Sequence, residues 1–188
     1  MRYLRFVFCA ITLLIFTQAW AAFEVTPELQ KELNQLTETI KEWAADPVIV
    51  NAVVAQNQKG PIADMDNTKW KSIRRSDALI KEFQSNDAGQ WLKQKLDESK
   101  GLYSEAFLNA SHGEKVAFVA KTSSYLHQGS AKFDQPFTKS QTWQGEPEFD
   151  ESSQAHQIQL SVPVLVNHKP IGVLVIGVNL TQLAQMSK

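Results

Sequence analysis

The chain carries a single cysteine, Cys9, in 188 residues. One thiol closes no intrachain disulfide, so the fold must be held by an ordinary hydrophobic core. The spacings of a dinucleotide loop (GxGxxG), a P-loop, a zinc-protease helix (HExxH) and a CxxC pair are all missing, which removes the familiar cofactor and metal motifs. Glycine (8) and proline (7) are too few for a collagen-like or low-complexity chain. Neither sign of charge dominates: 19 Lys and Arg face 20 Asp and Glu, a formal charge of -1, without the basic excess of an electrostatic nucleic-acid binder. What is present is a normal apolar fraction of 43%, enough for one compact domain and too much for general disorder.

The first 21 residues read as an export signal. Arg2 and Arg5 precede an apolar run, Phe6 to Phe16, of about 11 residues, which is short for a membrane span. Ala19-Trp20-Ala21 then offers the small-x-small pattern that a signal peptidase reads, so cleavage is expected near Ala21. Cleavage removes both arginines, no acid, and the only cysteine. Residues 22–188 are then expected as a single domain without thiol chemistry or a transmembrane helix, exported to the periplasm.

That domain is expected to be helical first and stranded later. Thr26-Pro27-Glu28 is a helix start, and Leu29, Leu33, Leu36, Ile40 and Trp43 make one apolar stripe behind it. The stripe lies on its own domain or pairs with a second copy. Asp46-Pro47, Asp66 and Ser85-Asn86-Asp87 open further helices, so residues 26–98 are largely helical. After Gly101 the period changes to two. Residues 102–108 and 116–120 form a hairpin around a turn at Asn109 to Gly113. The stretch 121–153 is long and polar, and either functional or host to an unrecognised strand. His156, Ile158, Leu160 and Val162 alternate with Gln157, Gln159 and Ser161, the pattern of a strand with one wet face. Asn167-His168-Lys169 turns the chain into Ile171–Val178, a strand buried on both faces, and a short helix closes the domain. Helices followed by about five antiparallel strands make an α+β domain, with a pocket expected between the sheet and the long crossover segment.

Several stretches, taken in order, resemble the Cache sensor domain, also called the PDC or PAS-like extracytoplasmic sensor domain. They are Ala106-Phe107-Leu108 through Gly113-Glu114-Lys115-Val116-Ala117, then Lys121-Thr122-Ser123-Ser124-Tyr125 with Gln128-Gly129. Glu146 to Ser153, Val162-Pro163-Val164 and Pro170 to Leu180 follow. In the helical half, Asp46-Pro47 to Gln56-Asn57, Asp66 and Trp70 are similar too. The resemblance implies a long N-terminal helix and a central antiparallel sheet that binds a small molecule under a loop-and-helix lid. It also implies a link to membrane receptors, namely chemoreceptors, histidine kinases or cyclic-dinucleotide enzymes. The chain departs from the family where acids often stand, at Ser124 and at Ser130-Ala131.

Six residues are candidates for ligand contact. Tyr125 and Trp143 offer flat apolar faces with one polar edge each, and Trp70 lies one helical turn from Arg74 and Arg75. Arg74 suits a carboxylate, Lys132 an anion and Asp150 an amine. Each has an ordinary reading as well: core packing for the aromatics, a solvated helix face for Arg74, a surface lysine for Lys132 and a turn cap for Asp150. The four histidines are dispersed, no serine stands on a GxSxG elbow, and no catalytic constellation, cofactor or metal is implied. The sequence thus reads as a non-enzymatic, exported small-molecule sensor that signals through a separate membrane receptor. The alternative is an interaction protein that dimerises through its first helix above a vestigial pocket.

Overall fold

A computed structural model describes residues 23–150 and 154–187. The expected signal segment lies outside the described residues. Five helices come first, each opened by a side chain that accepts a backbone N–H. Thr26 opens α1 (Pro27–Ala44), Asp46 opens α2 (Pro47–Lys59), Asp66 opens α3 (Asn67–Ser72), Asp77 opens α4 (Ala78–Ser85) and Asn86 opens α5 (Asp87–Glu98). Prolines at the first position of α1 and α2 cost no hydrogen bond there.

The remainder builds one antiparallel sheet. Its strands are β1 (Tyr103–Ala110), β2 (Lys115–Phe118), β3 (Trp143–Gln144), β4 (Glu148–Asp150), β5 (Ala155–Val166) and β6 (Lys169–Asn179). The spatial order is β2-β1-β6-β5-β3, with β4 also paired to β5. The helix α6 (Ala131–Lys139) interrupts the strands and α7 (Leu180–Met186) follows them. Asn167 and His168 both adopt the left-handed conformation, as the tight β5–β6 hairpin requires.

The sheet is covered on both faces. Leu108, Ile158, Leu160, Val162, Leu174 and Ile176 point to the first face, where they meet Leu29, Leu33 and Ile40 of α1, Ile49 and Val53 of α2 and Leu92 of α5. The apolar stripe of α1 therefore lies against its own sheet: Leu33 and Ile40 are fully buried within one chain. Burying each such side chain stabilises the fold by about 1.5–3 kcal/mol. Phe107, Phe118, Val173 and Val175 point to the second face, under Trp70, Ile80, Phe83, Tyr125 and Phe133.

Three sequence expectations change. Asn109 and Ala110 belong to β1, not to the turn, because β1 runs two residues further along β6. The long polar stretch contains α6 and two short strands, which brings the sheet to six. The expected open pocket between sheet and crossover segment is instead closed by packing, since Trp70, Tyr125 and Phe133 are buried there.

Gly113, in the β1–β2 turn, has φ +81, and a Cβ on it would lie 2.4 Å from the backbone nitrogen of Gln128. Its carbonyl accepts the His127 N–H at 2.8 Å. Gly113→Ala is expected to destabilise the protein by about 1–3 kcal/mol in urea unfolding, through backbone strain and displacement of residues 127–128. An unchanged unfolding midpoint would show that the turn tolerates a side chain.

Candidate functional site

The second face of the sheet is not purely apolar. Lys115 on β2 is fully buried, and so are Asn109, Glu114 and Ser161, while His127 is 8% exposed. Lys115 stands opposite Asn109 of β1, and its Nζ donates to Asn109 Oδ1 at 3.1 Å. The same ammonium lies 3.6 Å from the centre of the Phe107 ring. That is a cation–π contact made out of water, where it is strongest. No ion pair within 4.0 Å reaches Lys115 among the described residues. The carboxylate that favours its charged form, Glu105, is itself engaged by the side-chain amide of Gln159.

Burial, more than any neighbour, holds the Lys115 ammonium well below the usual lysine range. Glu105 pulls it back up, and Lys132 on α6 pushes it further down. His127 is pushed down to about 2, first by burial and then by Lys115 and Lys132. It is therefore a neutral imidazole, tilted against Phe107 with ring centres 5.0 Å apart.

Four buried polar atoms find no partner in the protein: Asn109 Nδ2, His127 Nδ1, Ser161 Oγ and Glu114 Oε1. Buried polar groups are satisfied in most native folds, so each of these atoms calls for a partner from outside the chain, water included. The fourth atom differs from the other three. Glu114 sits in the β1–β2 turn, accepts the His112 N–H through Oε2 at 3.0 Å, and turns Oε1 toward His112 Nδ1 at 3.9 Å.

The strand register sets the geometry. Ser161 of β5 faces Val175 of β6, Val175 faces Phe107 of β1, and Trp143 of β3 faces Ser161. Paired residues share a face, so Phe107, Val175, Ser161 and Trp143 form one row. Phe107 and Ser161 are two strand spacings apart, about 10 Å. The ammonium and amide thus stand at one end of a short apolar floor, and the hydroxyl stands at the other. An apolar surface with a few convergent polar groups is suited to orienting a small molecule. Among the described residues, no three His, Cys, Asp or Glu side chains gather as a metal site.

The six residues singled out in the sequence are not brought together. Trp70 and Tyr125 are fully buried and packed on each other, with ring centres 5.5 Å apart. The Trp70 indole N–H donates to the Thr122 carbonyl at 2.8 Å, and the Tyr125 hydroxyl accepts the Ile62 N–H at 2.9 Å, so both polar edges are used internally. Arg74 is exposed beyond the end of α3, while its neighbour Arg75 lines a 420 Å³ groove with Lys71 and Lys121. Asp150 is half-buried at the end of β4. Lys132 and Trp143 border the polar row: the first acts electrostatically on Lys115 and His127, the second is the cross-strand neighbour of Ser161.

Sequence reasoning missed Asn109, Lys115 and Ser161 as site residues. A signal was there for Lys115, a lone charge leading an otherwise apolar strand, Val116-Ala117-Phe118. Ser161 looked like part of a wet face, and α6 covers that face.

Two outcomes follow from this burial. Lys115→Met should stabilise the protein by about 1–2 kcal/mol in chemical unfolding. Relieving a buried ammonium is worth several kcal/mol, more than the about 1–3 kcal/mol lost by leaving Asn109 Oδ1 unpaired. A destabilised variant would contradict this balance. For His127 the folded value, about 2, lies below the unfolded 6.5. Above pH 6.5 both states are neutral at this residue and it contributes nothing. Below that pH the unfolded chain takes up a proton that the fold refuses, so stability falls. Between pH 6 and 4 the wild type should lose about 1.4 kcal/mol per pH unit more than His127→Gln. Parallel stability curves for the two proteins would refute the assignment.

No protein-family model matches the chain, and no curated protein sequence does. Solved structures do match. The sensor domain of the V. cholerae histidine kinase DctB is 18% identical with a TM-score of 0.39, over 85% of this chain and 60% of that one. The ligand-binding domain of the P. aeruginosa amino-acid chemoreceptor PctC, in complex with GABA, is 15% identical with a TM-score of 0.42, over 84% and 63%. The sensory domain of the C. jejuni chemoreceptor Tlp3, with isoleucine bound, is 13% identical with a TM-score of 0.43, over 87% and 68%. The chain thus spans about two thirds or less of the length of the first two. These similar structures are sensor, sensory and ligand-binding domains.

Proposed function

We propose that this protein is a small-molecule-binding sensor domain without enzymatic activity, whose ligand lies on the second face of the sheet between β1, β5 and α6. The observation that carries this reading is the set of unpartnered buried polar atoms at Asn109, Ser161 and His127, beside the buried ammonium of Lys115. Trp143 and Lys132 complete the border of the seat. Of the remaining candidates, Trp70 and Tyr125 act as its rigid wall.

Access requires α6 to lift. Its first position is capped by no side-chain hydrogen bond, and Pro136 inside it removes one backbone hydrogen bond. The opposite wall is fastened: Asn67 Oδ1 accepts from the N–H groups of Tyr125 and Leu126, both at 2.8 Å, and its Nδ2 donates to the Leu126 carbonyl. A mobile lid against a fixed wall gives two conformations that a ligand distinguishes, which any sensor needs.

The reading extends to export. After removal of residues 1–21 the domain would act in the periplasm and pass its occupancy to a separate membrane receptor, such as a chemoreceptor, histidine kinase or cyclic-dinucleotide enzyme. None of the described helices is long and apolar enough to cross a membrane. Pairing through α1 has less support, because the stripe that would mediate it is covered by the sheet.

A thermal-shift screen of organic acids, amino acids, amines and purines on the folded domain is expected to raise the melting temperature by several degrees for one class. With that class bound, the amides of residues 131–139 should exchange with solvent more slowly. A folded protein that no class stabilises would overturn the proposal.

A further inference from the structure

We infer that the groove between the end of α3 and the segment that follows β2 is an oxyanion site, which receives a phosphate group between Lys71, Arg75 and Lys121. It shares no residue with the seat under α6 and stands independently of that reading.

The sequence gathers cations here and keeps acids out. Residues 67–76 hold Lys69, Lys71, Arg74 and Arg75, residues 115–133 hold Lys115, Lys121 and Lys132, and neither stretch contains an aspartate or glutamate. The acids that bound the two stretches are Asp66, Asp77, Glu114 and Asp134. Each spends an oxygen on a backbone N–H of its own segment, those of Lys69, Leu79, His112 and Gly129. These acids keep their charges, but seven cations against four acids leave a positive excess, in a chain whose formal charge is -1. Lys71, Arg75 and Lys121 line one groove of 420 Å³, together with Ile73, Thr122 and Ser123. Among the described residues, no carboxylate lies within 4.0 Å of any of these three cations.

The walls of the groove are preformed. The Trp70 indole N–H donates to the Thr122 carbonyl at 2.8 Å, which ties the segment after β2 to α3. Asn67, at the start of the same helix, holds the N–H groups of Tyr125 and Leu126. The Thr122 hydroxyl donates to the Ser124 carbonyl at 2.7 Å and closes the segment on itself. Lys121 Nζ lies over the Trp70 ring, 4.9 Å from its centre, so the indole holds the ammonium at the groove. Burial, and then the like charge of Arg75, draw that ammonium below the usual lysine range. An anion placed between the two turns their repulsion into shared attraction. Among the described residues, the Ser123 hydroxyl and the backbone N–H groups of residues 121–124 donate to no protein acceptor. Three cations with N–H and O–H donors between them match a compact group that carries nearly two charges on three oxygens. A carboxylate, with one charge and two oxygens, uses the set only in part.

The test separates the phosphate group from its carrier. Inorganic phosphate and glycerol 3-phosphate are titrated against the folded domain at about 0.15 M salt, where attraction between exposed charges is screened beyond about 8 Å. Acetate and glycerol are the controls, and vesicles of phosphatidic acid in phosphatidylcholine present the same group on a lipid. Calorimetry reads the soluble probes, co-sedimentation reads the vesicles, and the Trp70 indole N–H resonance reports the place. Glycerol 3-phosphate should bind and shift that resonance, with acetate at least tenfold weaker and glycerol silent. Arg75→Gln and Lys121→Gln should each lose at least tenfold in affinity. Lys69→Gln, an exposed cation of the same helix outside the groove lining, should stay within twofold of the wild type. Vesicle binding that Lys121→Gln abolishes, with the soluble phosphates silent, would keep the site and name a lipid headgroup as its source. Equal losses in all three variants would show a diffuse basic surface and overturn the site. So would binding that leaves the Trp70 indole in place, or silence from every phosphate probe.

Discussion

An ammonium group buried on a sheet face, with one amide oxygen and one aromatic ring for company, is the constraint around which the second half of this fold is arranged. Removing such a group from water costs several kcal/mol, and a domain of this size has only about 5–15 kcal/mol of net stability. The cost is carried by the rest of the molecule. Leu33, Ile40, Ile49, Val53 and Leu92 close the first face completely. On the second face Trp70, Phe83, Phe118 and Tyr125 form a connected aromatic cluster, with Trp70 edge-on to both phenylalanines. Lys115 is thus an interior charge maintained by a core strong enough to tolerate it. Such local cost, accepted against stability, is typical of positions that serve binding.

The same arrangement links packing to motion. The aromatic cluster and the Asn67 clamp make one side of the seat stiff. The helix α6 holds the other side with Phe133 and Phe137, stacked 5.1 Å apart, and has a proline in its middle.

The sequence made much of this architecture legible, and the reasons are local. Capping residues at Thr26, Asp46 and Asn86 mark helix starts because each uses a short polar side chain to accept one backbone N–H. The apolar run of β6 marks a central strand because both of its faces are buried. The α1 stripe was legible as an apolar face, though not what covers it. The site was far less legible. The long segment 121–153 looked like loop because α6, with Pro136 inside, is only nine residues long and lacks the length that a periodic pattern needs. Without α6, the Gln159 and Ser161 side of β5 looked solvated, and Lys115 and Asn109 had no covered face to belong to. Trp70 and Tyr125 attracted attention by residue type, yet their polar edges turn inward to Thr122 and Ile62. Lys132 and Trp143 were found by type and do border the seat. Asn109 and Ser161 carry no signal of their own. Their significance comes from register, which places a β1 residue and a β5 residue on one face across β6.

The most direct test of the central claim, that this covered face receives a small ligand, is a proton–nitrogen NMR titration of the folded domain with the compound that raises its melting temperature most. The account predicts that the amide resonances of Asn109, Lys115, His127, Ser161 and residues 131–139 move together and saturably, while those lining the exposed groove of Lys71, Arg75 and Lys121 stay in place. Movement confined to that exposed groove, with the face under α6 unchanged, would contradict it.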